Sequence, residues 1–599
     1  MYKRYSLFTA LVCFIVMVMA GAVYGLENRA RHEDPFVFEK NIPIPTDDGA
    51  FVMANVFRPK EEGKYPVLVL MSVYGKDLAT KDLYTQEWKE MNARNPGLCQ
   101  QSSCRYHTWE TLDPEIWVPH GYVIVRVDCR GTGKSPGKLD PFSPRETRDL
   151  YNVIEWAGIQ PWSNGKVGMT GISYYAMNEW LVASLQPPHL TAIAPWEGAA
   201  DSYREVSRHG GIYSNLFPMI WFNKQVLLLQ HGNGQSPFRD LDDGSPITGD
   251  KSLTPEKLEA NRADFIGDAL SRPVDGSYYR DRSADFSKIT VPLISGANWG
   301  GYGLHARGNF EGFYQSASKL KWLEVHGGNH RDAFYKAETQ ALLKQFFDHF
   351  LKEEDNNWEN RPPVMLEIRH IDGSLTKRTE NEWPLARTVW KKLYLDAENE
   401  SISPSPTSSE SRVSYEGLKK SVRFMSAPFD QETEITGPLM ASLWVSSSTV
   451  DMDIFATVQL FRSDGTEVTF EGASEPAVPI SQGWLRVSHR KLDPILSTDW
   501  RPYHTHDKEE KLVPGKIYEA KVELWPTCVL VPKGYRLGLR LEGKDFSRLE
   551  KGGPLTGSGP FLHFHPKDRP PDVFGGTNYI HTGGSYTSYL QIPMVPPKK

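Results

Sequence analysis

Lys166-Val167-Gly168-Met169-Thr170-Gly171-Ile172-Ser173-Tyr174-Tyr175-Ala176 is the stretch whose reading decides the fold. An apolar run meets a small residue, then a serine, then a helix-compatible segment. This describes a buried strand that turns sharply into a helix. Gly171 and Ala176, two before and three after the serine, are small enough for strand and helix to approach closely. The layout is that of a nucleophile elbow, which lifts a serine hydroxyl to the top of an α/β sheet. Tyr175 stands where the strict G-x-S-x-G pattern has its last glycine. An ordinary turn with Ser173 as a helix N-cap therefore stays open on this motif alone.

Working outward, five further apolar runs share the character of Val167–Thr170. They are Val67–Met71, Tyr122–Val125, Leu190–Ala194, Val291–Ser295 and Trp322–Val325. Each ends in a loop carrying glycine or polar residues, and helix-length segments separate them. Continuous apolar runs of this length suit strands buried on both faces. Their alternation with helices predicts a parallel sheet covered on both sides. Ser143-Pro144-Arg145-Glu146 predicts a helix start, with an N-cap, a first-turn proline and a capping-box glutamate. A second helix is expected from about Ala337 to Leu351. Between Asp201 and Lys288 the pattern breaks into short helical and loop stretches, as expected of a cap over the active-site end of the sheet.

After Lys352 the period changes. Residues 353–363 are charged and proline-bearing, a candidate domain boundary. Beyond them apolar and polar residues alternate, as in Leu537, Leu539 and Leu541 against Arg536 and Arg540. Short alternating strands between turn signals predict an antiparallel sandwich or jelly roll.

At 599 residues the chain is too long for one core. Its net charge of −6 gives a nucleic-acid partner no electrostatic support. Lys3 and Arg4 precede an apolar run from about Leu7 to Ala20, followed by Val23-Tyr24-Gly25. Residues 1–25 are expected to be a secretory signal peptide, with an uncleaved anchor as the alternative. Secretion makes the protein extracellular or periplasmic, with no stable membrane insertion after cleavage. Cys99 and Cys104 close a short polar loop, where an oxidising compartment allows a disulfide. The absence of any C-x-x-C pair excludes a zinc ribbon or a thioredoxin-like role. His504-Thr505-His506 and His563-Phe564-His565 have ligand-like i, i+2 spacing but no third ligand, so structural histidines are expected. No metal or cofactor is implied.

Several motifs together resemble the CocE/NonD family of serine hydrolases, which includes X-Pro dipeptidyl-peptidases, cocaine esterase and cephalosporin acylases. They are Ser72-Val73-Tyr74-Gly75-Lys76, Asp128-Cys129-Arg130-Gly131-Thr132-Gly133, Gly171-Ile172-Ser173-Tyr174, Asp201-Ser202-Tyr203-Arg204, Arg307-Gly308-Asn309-Phe310 and Gly327-Gly328-Asn329-His330. The resemblance covers nearly everything after the signal. It implies an α/β-hydrolase domain over 35–200 and 285–355, a helical cap inserted at 201–284, and a galactose-binding-like jelly roll over 363–599. It also implies an acyl-enzyme mechanism on an ester, amide or peptide substrate. Ser173 would be the nucleophile and His330 the base. Tyr74, with the backbone N–H of Tyr174, would bind the oxyanion.

The third member of the triad is where this sequence departs from the family. Better-known members carry an Asp after a Trp, in the loop before the His. Here that loop reads Asn298-Trp299-Gly300-Gly301-Tyr302-Gly303, without a carboxylate. Glu197, at the end of the preceding strand, resembles the acid of haloalkane dehalogenases and is the expected replacement. The glycines are expected to leave room for its longer side chain. Asn298, Asp201 and Asp332 are the alternatives, and a Glu197 paired with Arg204 would be structural. Two other functions stay open. One is an X-Pro dipeptidyl aminopeptidase, for which no acidic anchor for the substrate amine is assignable. The other is a weakly catalytic binding protein that uses the jelly roll.

Overall fold

The computed structural model describes residues 34–598 apart from 241, 551 and 552. The expected signal segment lies outside them. Eight strands form the first sheet: β1 (Val37–Pro45), β2 (Phe51–Arg58), β3 (Tyr65–Ser72), β4 (Val123–Asp128), β5 (Ser163–Ile172), β6 (Leu190–Trp196), β7 (Leu293–Asn298) and β8 (Lys321–His326). Hydrogen bonding orders them β1-β2-β4-β3-β5-β6-β7-β8, antiparallel up to β4 and parallel from there on. The six apolar runs are the six parallel strands. β1 and β2 escape the sequence reading because β1 is only half-buried and carries Glu39, Lys40 and Asn41, which break its alternation.

The helices that flank this sheet include α1 (Pro144–Gly158), α2 (Tyr174–Ala183) and α3 (Ala337–Lys352). Ser143 caps α1 by accepting the Glu146 N–H at 3.2 Å. The Glu146 side chain does not close a box on Ser143. It accepts from the Phe142 N–H and from the Tyr174 hydroxyl, tying α1 to the elbow. Every residue of α2 is buried, so the helix after Ser173 runs through the core rather than over it. Between β6 and β7 lie short helical turns, including Leu216–Trp221, whose Trp221 points back toward β3.

The sheet does not stop at β8. Leu323 in β8 pairs in parallel with Val364 of the next strand, Val364–Arg369. A β-rich region with a second apolar core follows. Its long strand Thr433–Ser447 pairs antiparallel with Tyr518–Val531 on one side and with Thr577–Thr582 and Tyr589–Val595 on the other. Asp453–Phe461 lies between Ser481–Arg486 and Arg536–Glu542.

The glycine loop after β7 sits where the two halves meet. A Cβ on Gly300 would lie 2.5 Å from Gly472 Cα, and one on Gly303 2.5 Å from Phe561 Cβ. These glycines admit the C-terminal region to the site. They do not make room for Glu197, as the sequence suggested. Gly300→Ala therefore forces backbone against backbone, and is expected to destabilise the protein by about 1–3 kcal/mol. Equilibrium denaturation would read this as a lower midpoint. An unchanged midpoint would show that the junction yields at no cost.

Candidate active site

Ligand sites of open α/β sheets form at the carboxyl ends of the strands. Ser173 follows β5, Glu197 follows β6, and Asn298 and His326 end β7 and β8. His330 is four residues beyond His326. Ser173 adopts φ 59°, ψ −108°. That conformation is uncommon for a residue with a Cβ, and it turns the chain from strand to helix. The turn needs its small neighbours: a Cβ on Gly171 would meet Tyr175 Cβ at 2.5 Å, and Ala176 packs against Gly198. The Ser173 N–H donates to Trp196 O at 3.0 Å, locking the elbow to β6.

Glu197 is fully buried, and its φ is 47°. Its Oε2 lies 2.7 Å from His330 Nδ1, and its Oε1 lies 2.7 Å from His326 Nε2. Asn298 Nδ2 donates to the same carboxylate at 3.3 Å and to Gly328 O at 2.9 Å, and does not contact His330. The other candidate acids are engaged elsewhere. Asp201 pairs with Arg204 at 2.8 Å, and Asp332 lies 3.6 Å from Arg94. Arg204 turns to Asp201 and Asp275, not to Glu197.

Three groups at this site were not anticipated from the sequence. Ser173 Oγ hydrogen-bonds His305 Nε2 at 3.4 Å, and among the described residues no hydrogen bond joins Ser173 to His330. The His305 ring stacks on His330, with centroids 4.0 Å apart. The second group is Glu110, buried and at φ 61°. Its Oε1 is 3.3 Å from His330 Nε2, an ion-pair contact short of hydrogen-bond geometry, and its Oε2 is buried without a partner. Glu110 O also accepts the Ile172 N–H, so the carboxylate is anchored to the elbow. The third is His326. The sequence carried no signal for these residues beyond their types, because the fold alone brings 110, 197, 305, 326 and 330 together. The loop leading to Glu110 is closed by a Cys99–Cys104 disulfide.

Tyr74 is buried beside the elbow, 5.7 Å from the Tyr174 ring. Trp221 Nε1 donates to the Tyr74 hydroxyl oxygen at 3.2 Å. An indole can only donate, so the phenol keeps its own proton free to give. The Tyr174 side chain is spent on Glu146 at 2.7 Å. Its backbone N–H, in the first turn of α2, makes no hydrogen bond among the described residues. Phe142 and Phe561 add apolar wall, Phe561 from the C-terminal region. The C-terminal region also accepts the His330 N–H, through Ala473 O at 3.1 Å. His563 spends Nδ1 on Asp545 and Nε2 on His209, both at 2.8 Å, as part of the buried packing between the halves.

The electrostatics follow from burial and these partners. Burial alone would disfavour the His330 cation, but the Glu197 and Glu110 carboxylates outweigh it and raise its pKa to about 9. Burial likewise opposes a charge on Glu197, and the two imidazoles overcome it and hold the carboxyl below its usual range. His305 has no carboxylate beside it. Burial, then the charge on His330, push it well below an ordinary histidine, so it is neutral. Burial and the Glu110 carboxylate keep the Tyr74 phenol protonated.

A serine on a strained strand-to-helix turn, at the carboxyl edge of a sheet ordered in this way, places the protein among the α/β-hydrolases. Residues 48–332 match the X-Pro dipeptidyl-peptidase (S15 family) model, and 356–591 match the X-Pro dipeptidyl-peptidase C-terminal non-catalytic domain. A CocE/NonD family hydrolase from Staphylococcus aureus is 35% identical, with a TM-score of 0.79 over 94% of each chain. Cocaine esterase from Rhodococcus sp. (strain MB1 Bresler) is 23% identical over 626 residues, 93% of this chain and 98% of that one. An aminopeptidase from a marine sediment Thaumarchaeota archaeon shares the fold, with a TM-score of 0.65 at 14% identity over 96% of this chain and 99% of that one. The chain belongs to the CocE/NonD family and is a serine hydrolase, with an α/β-hydrolase core and an all-β C-terminal region.

Because two carboxylates flank His330, its titration tests the geometry directly. For His330 to act as a base its imidazole must be neutral, and under that role kcat/KM is expected to rise with pH toward about 9, where His330 loses its proton. Glu110→Gln removes one of the two charges that favour the cation. The acid limb should then move to lower pH, and a limb left in place would show that Glu110 does not act on His330.

Proposed function

We propose that the protein is a secreted esterase or amidase working through an acyl-enzyme on Ser173, with His330 as base and Glu197 as its acid. The observation that carries this reading is the 2.7 Å contact of Glu197 with His330 Nδ1, on a histidine whose Nε2 makes no hydrogen bond and lies 3.3 Å from Glu110. Glu197 fixes the tautomer and steadies the imidazolium that forms. Ser173 Oγ attacks the substrate carbonyl while its proton passes to His330 Nε2. The oxyanion takes hydrogen bonds from the Tyr74 hydroxyl and the Tyr174 N–H. His330 then returns the proton to the departing alcohol or amine, and water repeats the sequence to release the acid. In the resting protein the serine hydroxyl is parked on neutral His305. Swinging it to His330 is a side-chain rotation that bound substrate imposes, since catalytic hydrogen bonds tighten in the Michaelis complex. The aromatic wall of Phe142, Tyr174, Trp221 and Phe561 suits an apolar or aromatic group on one side of the scissile bond.

Glu110 favours a second reading. A buried carboxylate oxygen without a partner, anchored beside the elbow, is an acceptor for an ammonium group. It would hold the free amine of an aminoacyl or X-Pro dipeptidyl substrate. Gly-Pro-anilide run beside p-nitrophenyl esters separates the two readings, because only the second gains rate from the amine.

Ser173→Ala is expected to abolish turnover and labelling by a fluorophosphonate probe without lowering the melting temperature. Glu197→Gln keeps the shape and loses the charge, so kcat should fall by several orders of magnitude. Tyr74→Phe should lower kcat about 100- to 1,000-fold with little change in KM. Near-parental turnover by the Ser173 or Glu197 variant would end this assignment. A Tyr74 variant changed only in KM would make that residue a packing group.

The hydrolase half and the C-terminal half divide near 353–363, with the segment 201–284 as the cap. Export is supported by the signal-like residues 1–25 and by the Cys99–Cys104 disulfide, which an oxidising compartment preserves. Mature protein recovered outside the cell should begin near Leu26. Intact residues 1–25 on that protein would replace secretion by anchoring.

A further inference from the structure

His326 has no place in the three-residue mechanism, yet it is as tightly held as any group in the molecule. It ends β8, is buried, and stacks on Trp196 with ring centroids 5.2 Å apart and planes 8° from parallel. Its Nε2 is 2.7 Å from Glu197 Oε1, and its Nδ1 is 2.7 Å from Glu324 Oε2. A carboxylate oxygen accepts and does not donate. With both carboxylates ionised each ring nitrogen carries a hydrogen and the ring between them is an imidazolium; burial raises the Glu324 carboxyl, and the charge on His326 beside it works against that rise. The sequence Glu324–His326–Glu197–His330 is thus one unbroken chain of charge-assisted hydrogen bonds. Glu324 opens at its far end on a groove of about 560 Å³ beside the start of α3.

We propose that His326 is a positioning residue, a cation that fixes the Glu197 carboxylate from the side opposite His330 and draws off part of its charge. A carboxylate shared by two imidazoles offers each less than its whole charge. His330 therefore remains more readily deprotonated than it would be facing Glu197 alone. The other charged groups around the pair are Glu367 and Lys377 on neighbouring strands, and Lys336, Glu338, Arg361 and Arg378 around the groove. They are of mixed sign and lie on the Glu324 side. None of them comes between His326 and Glu197.

This rests on the reading of Glu197 as the acid for His330, and the test keeps the two apart. His326→Gln retains a hydrogen-bond donor toward Glu197 and removes the positive charge. The acid limb of kcat/KM is expected to move up by about one pH unit, with the plateau rate at high pH reduced only a few-fold. A role confined to packing lowers the rate at every pH and leaves the limb where it was, and that result overturns the proposal. If Glu197→Gln is itself near-parental, the triad reading fails first and this one with it. An unmoved limb beside an inactive Glu197→Gln variant overturns the role of His326 alone. Should the His326 variant not fold, ¹⁵N-histidine spectra of the parental protein decide the question. Two rings should be doubly protonated at pH 8, one that titrates with the acid limb and one that does not. A single such ring would put the proton on Glu324 and remove the cation.

Discussion

Glu197 is the constraint around which the site is built. Sinking an ionised carboxylate completely costs several kcal/mol unless its oxygens are bonded. Two imidazole N–H groups and the Asn298 amide meet that need. Asn298 and His326 end β7 and β8, and His330 follows four residues after His326, so satisfying one side chain fixes how β6, β7 and β8 end. The carboxylate cannot shift toward one histidine without stretching its bond to the other. The carboxylate therefore holds the His330 and His326 rings in fixed orientations.

Backbone strain gathers at the same place. Ser173, Glu197 and Glu110 all have positive φ although none is glycine. Such conformations cost about 1–3 kcal/mol each and persist only where the surroundings overdetermine them. Here the restraint is backbone to backbone: Ser173 N–H to Trp196 O, Glu197 N–H to Gly296 O, and Ile172 N–H to Glu110 O. The backbones of all three residues are therefore tied to the sheet edge.

The parallel strands were legible because they are largely buried and read as mainly apolar runs, while β1, half-buried and carrying Glu39 and Lys40, was not. The serine, its elbow and the loop bearing His330 could be read because their spacing to a strand end is local. Glu197 could be nominated as a carboxylate after a strand where the expected loop had none. The partners that surround it could not. His305, His326 and Glu110 are single residues in unremarkable contexts, and proximity across 200 residues leaves no trace in spacing. The loop glycines were open to misreading for the same reason. A glycine announces that something approaches closely and does not say what, and here it was the C-terminal chain at Gly472 and Phe561.

That approach changes what the charged, proline-bearing stretch at 353–363 means. It looks like a seam, and the sheet and the loops both cross it. Ala473 holds the backbone of His330, Phe561 packs against His305, and the strand after the stretch extends β8. A hydrolase half inherited or transplanted alone would keep Ser173 on its elbow and lose the brace on the His330 backbone. Recombination at this joint is therefore not neutral shuffling of modules. A new C-terminal partner would have to fit the glycine loop, where Gly472 and Phe561 now approach, before it could bring any property of its own.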